Sequence, residues 1–85
     1  MSWTVLVANA ARKQLVRVPA KDQRRITAAL LSMADGPFSG DILKLEGETS
    51  RWRRRVGNYR LFCTIDPIGR GVAVTAIARR TSTTY

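Results

Sequence analysis

Between Arg51 and Ile65 the sequence reads RWRRRVGNYRLFCTI, two runs of strand-forming residues separated only by Gly57-Asn58. That pair tolerates the positive φ of a tight turn, so Trp52 to Val56 and Tyr59 to Ile65 are predicted to pair as a β-hairpin. A two-residue turn fixes register, and register fixes which side chains share a face. Arg51, Arg53 and Arg55 point one way; Trp52, Arg54 and Val56 point the other. In the partner strand Arg60, Phe62 and Thr64 separate from Tyr59, Leu61, Cys63 and Ile65. The second set is apolar and must meet a core. Arg53, Arg55 and Arg60 therefore converge on the open face, while Arg54 has inner parity and must emerge at the sheet edge with its stem along apolar surface.

The rest of the chain supplies what that hairpin needs to pack against. Trp3 to Val7 is β-branched and apolar and reads as a first strand. Asn9 is placed to cap a helix running to about Arg17, with Ala11, Leu15 and Val18 on one face. Pro19 interrupts it and starts a second helix, about Ala20 to Ala34, whose apolar stripe is Ile26, Leu30 and Met33. Gly36 and Pro37 end that helix. Ile42 to Glu46 reads as a short strand, Gly47 to Ser50 as a turn, and 66–71 as another turn before the apolar run Val72 to Ala78, a central strand. The predicted order is β-α-α-β-β-β-β: an α+β fold with two helices on one face of a mainly antiparallel sheet. At 85 residues the chain is a single domain, residues 1–85, with a core small enough to gain from a partner.

Charge narrows the partner. Fifteen Lys and Arg against six Asp and Glu give a net +9, which favours a polyanion. The excess is uneven. From Arg51 onward there are eight arginines and one acid, whereas residues 1–49 hold seven bases and five acids.

Three guanidiniums on one sheet face repel each other unless an anion sits among them, and arginine is the side chain best suited to forked binding of phosphate. Phe62 shares that open face and offers a base a stacking surface; the parity of Trp52 and Tyr59 assigns them to the core. The plainer reading is a solvated basic strand, or an edge strand kept from aggregating by its charge. A second basic group, Arg79-Arg80, follows the last strand, and Tyr85 ends the sequence. A phenol titrates near ~10 unperturbed, and arginines beside it would lower that value. Cys63, the one cysteine, lies in the apolar run LFCTI and reads as a small buried hydrophobe. With no histidine and one cysteine, no zinc site is expected. No apolar run approaches the ~20 residues that span a bilayer, and the first residues lack the order of a signal peptide; the expectation is a cytoplasmic protein without membrane contact.

The segments LKLEG, RWRRRVGNYRLFCTID and ARRTSTTY together resemble the RelE/ParE superfamily of bacterial toxins, in its RelE-like branch. The resemblance covers nearly the whole chain, and RVGNYR is its most specific part. It implies the toxin of a type II toxin–antitoxin system: a metal-independent endoribonuclease, or mRNA interferase, that cuts mRNA on the ribosome, needs no cofactor and is neutralised by a cognate acidic antitoxin. By position it assigns catalytic roles to Arg53, Arg55 and Arg60, to Arg79 or Arg80 after the last strand, and to Tyr85. Lys44, Arg51 and Phe62 are candidate substrate contacts. Cleavage by the RNA's own 2′-hydroxyl asks the protein to orient that group in line, stabilise charge on phosphorus and move two protons. Arginine does the last poorly, so with no histidine present Tyr85 is the leading base. Two alternatives stand beside this one: a ParE-like inhibitor of DNA gyrase without nuclease activity, and a non-catalytic basic module that binds nucleic acid.

Overall fold

The computed structural model describes residues 2–45 and 51–80. Its elements are β1 (Thr4–Val7), α1 (Asn9–Leu15), α2 (Ala20–Asp35), β2 (Ile42–Lys44), β3 (Arg51–Val56), β4 (Tyr59–Asp66) and β5 (Gly71–Arg79). The strands form one five-stranded sheet in the order β1-β5-β4-β3-β2. Three pairings are antiparallel, and β1 runs parallel to β5 with Val5 beside Val72 and Val7 beside Val74. The element order and the mainly antiparallel α+β layout are those expected from the sequence.

Periodicity explains how the layers meet. On α2, Ile26 and Met33 are fully buried and Leu30 packs at their margin. They rest on the inner face of β4, where Tyr59, Leu61, Cys63 and Ile65 alternate with more open residues. Val18 and Ala11 close the core from α1 and the linker. Gln23 Nε2 donates to the carbonyl of Val18 at 2.8 Å, so the linker's backbone is satisfied by the helix that follows it. Side chains such as Ile26 and Leu61 each contribute on the order of 1.5–3 kcal/mol by leaving water. No described helix is long and apolar enough to cross a membrane.

The run Val72 to Ala78 is apolar on both parities because β5 changes parity midway. Cys63 pairs with Val74 but Phe62 pairs with Ala76, which leaves Thr75 as the extra residue of a bulge. Val72 and Val74 face the helices before it and Ile77 after it. Two side chains stabilise the irregularity: Thr75 Oγ1 donates to the carbonyl of Phe62 at 3.1 Å, and Gln14 Oε1 on α1 accepts the Ile77 N–H at 2.6 Å.

Several local expectations are corrected. Asn9 is the first residue of α1 rather than its cap; Ala8 holds the cap position and no side chain bonds there. The helix stops at Leu15, two residues short of Arg17, because the chain bends through Val16 and Arg17 to deliver Val18 to the core. Pro19 caps α2 rather than opening its first turn. β2 ends at Lys44; the turn expected over Gly47 to Ser50, and with it Glu46, lies outside the described residues. The positive φ of the 66–71 turn falls on Arg70, at 53°. Gly69 is needed for another reason: a Cβ there would stand 2.6 Å from Asp66 Oδ2.

Candidate functional site

The hairpin forms in the expected register. Val56 pairs with Tyr59 across Gly57-Asn58, followed by Arg55 with Arg60, Arg54 with Leu61, Arg53 with Phe62, Trp52 with Cys63 and Arg51 with Thr64. Gly57 has φ +57° and Asn58 is not positive, the pattern of a type II′ turn. Trp52 joins Phe38 edge-on at 5.2 Å, and Phe38 meets Trp3 at 5.9 Å, an aromatic row at the far end of the strand. Tyr59 is buried. Both aromatics therefore belong to the core side, as their parity requires.

On the open face Arg53, Arg55, Arg60 and Arg80 line a hollow of about 180 Å³. Arg55 and Arg60 are direct cross-strand neighbours, a pairing in which Cβ atoms lie ~5 Å apart. Arg80 is brought in by the backbone: its N–H donates to the carbonyl of Asn58 at 2.6 Å, so the chain leaving β5 is tied to the hairpin turn. Arg79, one residue earlier, pairs with Tyr59 on the helix side of the sheet and does not line the hollow. The parity of β5 after its bulge thus puts Arg80, and not Arg79, at the hollow.

Arg53 differs from its neighbours. Its Nη1 donates to Asp41 Oδ1 at 3.1 Å, whereas no acid among the described residues pairs with Arg55, Arg60 or Arg80. Among the described residues, then, four guanidiniums gather with a single carboxylate, and an anion entering among them would relieve their repulsion.

The remaining candidates fall around this hollow or away from it. Phe62 is half-buried on the open face, directly across from Arg53, where its ring can support a base next to a bound phosphate. Arg51 is on the same face, two residues further down β3 and opposite Thr64, outside the lining. Lys44 pairs with Trp52, which puts it on the helix side of the sheet; it is not among the residues brought together. Tyr85 lies outside the described residues. Sequence reasoning did not single out Asp41, because an isolated acid in a loop of the sequence gives no sign of which strand it will meet.

The open face has a second half of different character. Leu6, Thr64, Asp66, Gly71 and Ala73 border a broader depression of about 510 Å³ beside β1, and Leu6 stays 65% exposed. The sheet thus presents a cationic end and an apolar end on one surface.

Cys63 is fully buried and its thiol is pushed up from 9.0 to about 11, because burial disfavours the thiolate more than the charge of Arg54 favours it. Its Sγ leans on the carbonyl of Leu61 at 3.7 Å. It is a packing residue, not a nucleophile.

No family model matches the sequence, and no curated protein matches it. Solved structures do. The RelE–RelB complex of the archaeon Pyrococcus horikoshii aligns over 98% of this chain and 100% of its counterpart, with a TM-score of 0.85 at 22% identity. The RelBE2 toxin–antitoxin complex of Mycobacterium tuberculosis aligns over 94% of this chain and 100% of its counterpart, at TM-score 0.82 and 22% identity. The isolated RelE toxin of E. coli covers 96% of this chain and 88% of its own length, at TM-score 0.81 and 14% identity. With the strand order, the two helices on one face and the hairpin all in place, the chain has the RelE toxin fold.

Proposed function

We propose that this protein is the toxin of a toxin–antitoxin pair and acts as a metal-independent endoribonuclease on mRNA held by the ribosome. The observation that carries the reading is the hollow lined by Arg53, Arg55, Arg60 and Arg80 on an open sheet face. Its arginine lining suits a phosphodiester group, and its charge suits the extra negative charge that develops when phosphorus becomes five-coordinate. In the reaction the 2′-oxygen attacks the adjacent phosphorus, the bond from phosphorus to the 5′-oxygen breaks, and a 2′,3′-cyclic phosphate and a 5′-hydroxyl result. One proton leaves the 2′-hydroxyl and one reaches the departing oxygen. The arginines supply charge stabilisation and grip. They would also repel a metal cation, which favours catalysis without one.

Proton transfer needs another group, since a guanidinium gives up its proton only above pH ~12. The chain has no histidine, and Tyr85, five residues beyond Arg80, is the proposed general base. A site built of arginines and one phenol is poorly equipped to orient a free RNA. The ribosome, by presenting the message in a fixed conformation, would contribute that orientation.

The antitoxin partner is proposed from the same surface. An acidic, amphipathic segment would meet both the cationic and the apolar ends of the open face, and would add apolar burial to a small core. Binding to the folded state alone raises stability by mass action, so thermal unfolding should move upward when the co-encoded antitoxin is added.

The decisive experiment is in vitro translation of a defined mRNA with the protein added, followed by mapping of the RNA ends. Discrete cuts are expected, abolished or strongly slowed by Arg60→Gln and lost in Tyr85→Phe. Intact mRNA together with blocked supercoiling by DNA gyrase would overturn the reading in favour of a ParE-like activity. Cuts that persist undiminished in Tyr85→Phe would remove the tyrosine from the mechanism while leaving the nuclease.

A further inference from the structure

Arg54 is the arginine of β3 that the proposed chemistry leaves unused. It lies on the helix side of the strand, flanked by Ile42 and Leu61. Its Nη1 donates to the carbonyl of Ser39 at 3.0 Å. The guanidinium also lies flat against Gly40, so close that a Cβ at that position would fall 2.7 Å from both Cζ and Nη2. Gly40 has φ +85°, which only glycine adopts readily. The next residue turns to the other face of the sheet. The Asp41 carbonyl accepts the Arg55 N–H at 2.9 Å, and Asp41 Oδ1 accepts Arg53 Nη1 at 3.1 Å. Three consecutive strand residues thus hold three consecutive loop residues, with the strand passing between them.

Stability alone does not account for this arrangement. Asp41 is 55% exposed, and exposed ion pairs contribute little to folding. Arg54 Nε is buried and has no hydrogen-bond partner among the described residues, so an unbranched apolar side chain of similar length would fit there at little cost. What the contacts do control is direction. Arg53 is repelled by Arg55 and Arg60, and the Asp41 carboxylate is the counter-force that keeps its guanidinium at the wall of the hollow.

We propose that Arg54 is a positioning residue, acting through residues 39–41 to hold the Asp41 carboxylate, and through it the Arg53 guanidinium, in the geometry that a phosphate needs. For its cleavage arm this inference rests on the endoribonuclease reading; its spectroscopic arm does not.

The test uses the full chain with Asp41→Ala, Asp41→Asn, Arg54→Met and the double variant Asp41→Ala/Arg54→Met. Thermal unfolding first establishes that each is folded; should Arg54→Met fail there, Arg54→Gln, too short to reach the Ser39 carbonyl in the same way but still polar, takes its place in both the single and the double variant, with the same outcomes expected. Asp41→Ala removes a negative charge beside the hollow, so a short single-stranded RNA should bind no more weakly than to the wild type. Its cleavage rate on mRNA-programmed ribosomes at saturation should nevertheless fall by about tenfold to a hundredfold, the upper figure being the scale of a group misplaced by ~1 Å. Asp41→Asn keeps an oxygen that accepts the same bond and should recover most of that rate. Arg54→Met should show a similar loss, and the double variant no further loss, because both act through one contact. Additive losses, failure of Asp41→Asn to recover the rate, or binding and turnover falling together in Asp41→Ala would overturn the proposal. In 15N side-chain spectra the Arg53 Nη signals, held by Asp41 in the wild type, should average in Asp41→Ala and in Arg54→Met. If the wild type cuts no RNA yet those signals respond as stated, the nuclease reading fails while the positioning role stands. Signals unchanged in Arg54→Met would remove the role of Arg54.

Discussion

Arg55 and Arg60 face each other directly across β3 and β4, and like charges in that relation destabilise a sheet by roughly 0.2–1 kcal/mol. Replacing either with threonine, a good strand former, is therefore expected to raise stability by about that amount while weakening RNA binding. Chemical denaturation set beside RNA titration would show the opposed changes; loss of both together would mean the pair is structural. Cys63 offers a second test at this scale. Its thiol is raised to about 11 in the folded state from 9.0, so above pH 9 the unfolded chain loses a proton that the folded chain retains. The contribution of this group to stability is complete below pH 9 and declines as pH rises toward 11. The wild type should lose stability more steeply over that window than Cys63→Ala, as read from unfolding free energies at stepped pH. Parallel slopes would count against a buried thiol.

The hairpin turn and the β5 bulge are the elements on which the hollow depends. Gly57 sits at φ +57°, where a β-branched residue is strained; Gly57→Val should cost about 1–3 kcal/mol and scatter Arg55 and Arg60 together, seen as lower melting temperature and lost RNA binding. Gln14 stabilises the bulge from across the core through the Ile77 N–H, so Gln14→Leu should cost about 1–3 kcal/mol by leaving that donor buried and unpaired, measurable by denaturant melts. These two elements also mark where reading the sequence succeeds and stops. Gly57-Asn58 between alternating runs announces turn, register and facing, so the convergence of Arg53, Arg55 and Arg60 follows from local pattern alone. The bulge at Thr75 leaves no such mark: β5 is apolar at both parities, and only pairing with β4 reveals that Arg80, not Arg79, reaches the open face. The face of Lys44 was unreadable for a related reason, since three residues of β2 are too few for alternation to declare one. The grip of Arg54 on Gly40 and of Arg53 on Asp41 joins residues more than ten positions apart, a distance over which periodicity carries no information.

Across the whole molecule, charge and apolar surface are segregated on one sheet face rather than spread over it. If the four guanidiniums of the hollow share one or two phosphates, the affinity for a short single-stranded RNA should fall with salt at a log–log slope of about −0.7 to −1.4. Separate phosphates for each would give about −2.8. Titrations at stepped ionic strength distinguish these, and the steeper slope would mean a backbone-tracking groove in place of a single-phosphate pocket. The parallel pairing of β1 with β5 has a further bearing, on order in time. Val7 meets Val74, so the first strand made must wait for the last, which at synthesis speeds of ~5–20 residues per second is roughly 3–13 s. Until then β1 has no neighbour in the sheet, and the stretch carrying Arg80 has not yet been drawn against the hairpin. A nascent copy therefore carries no complete arginine hollow while most of it is being translated, and gains one only with its last strand.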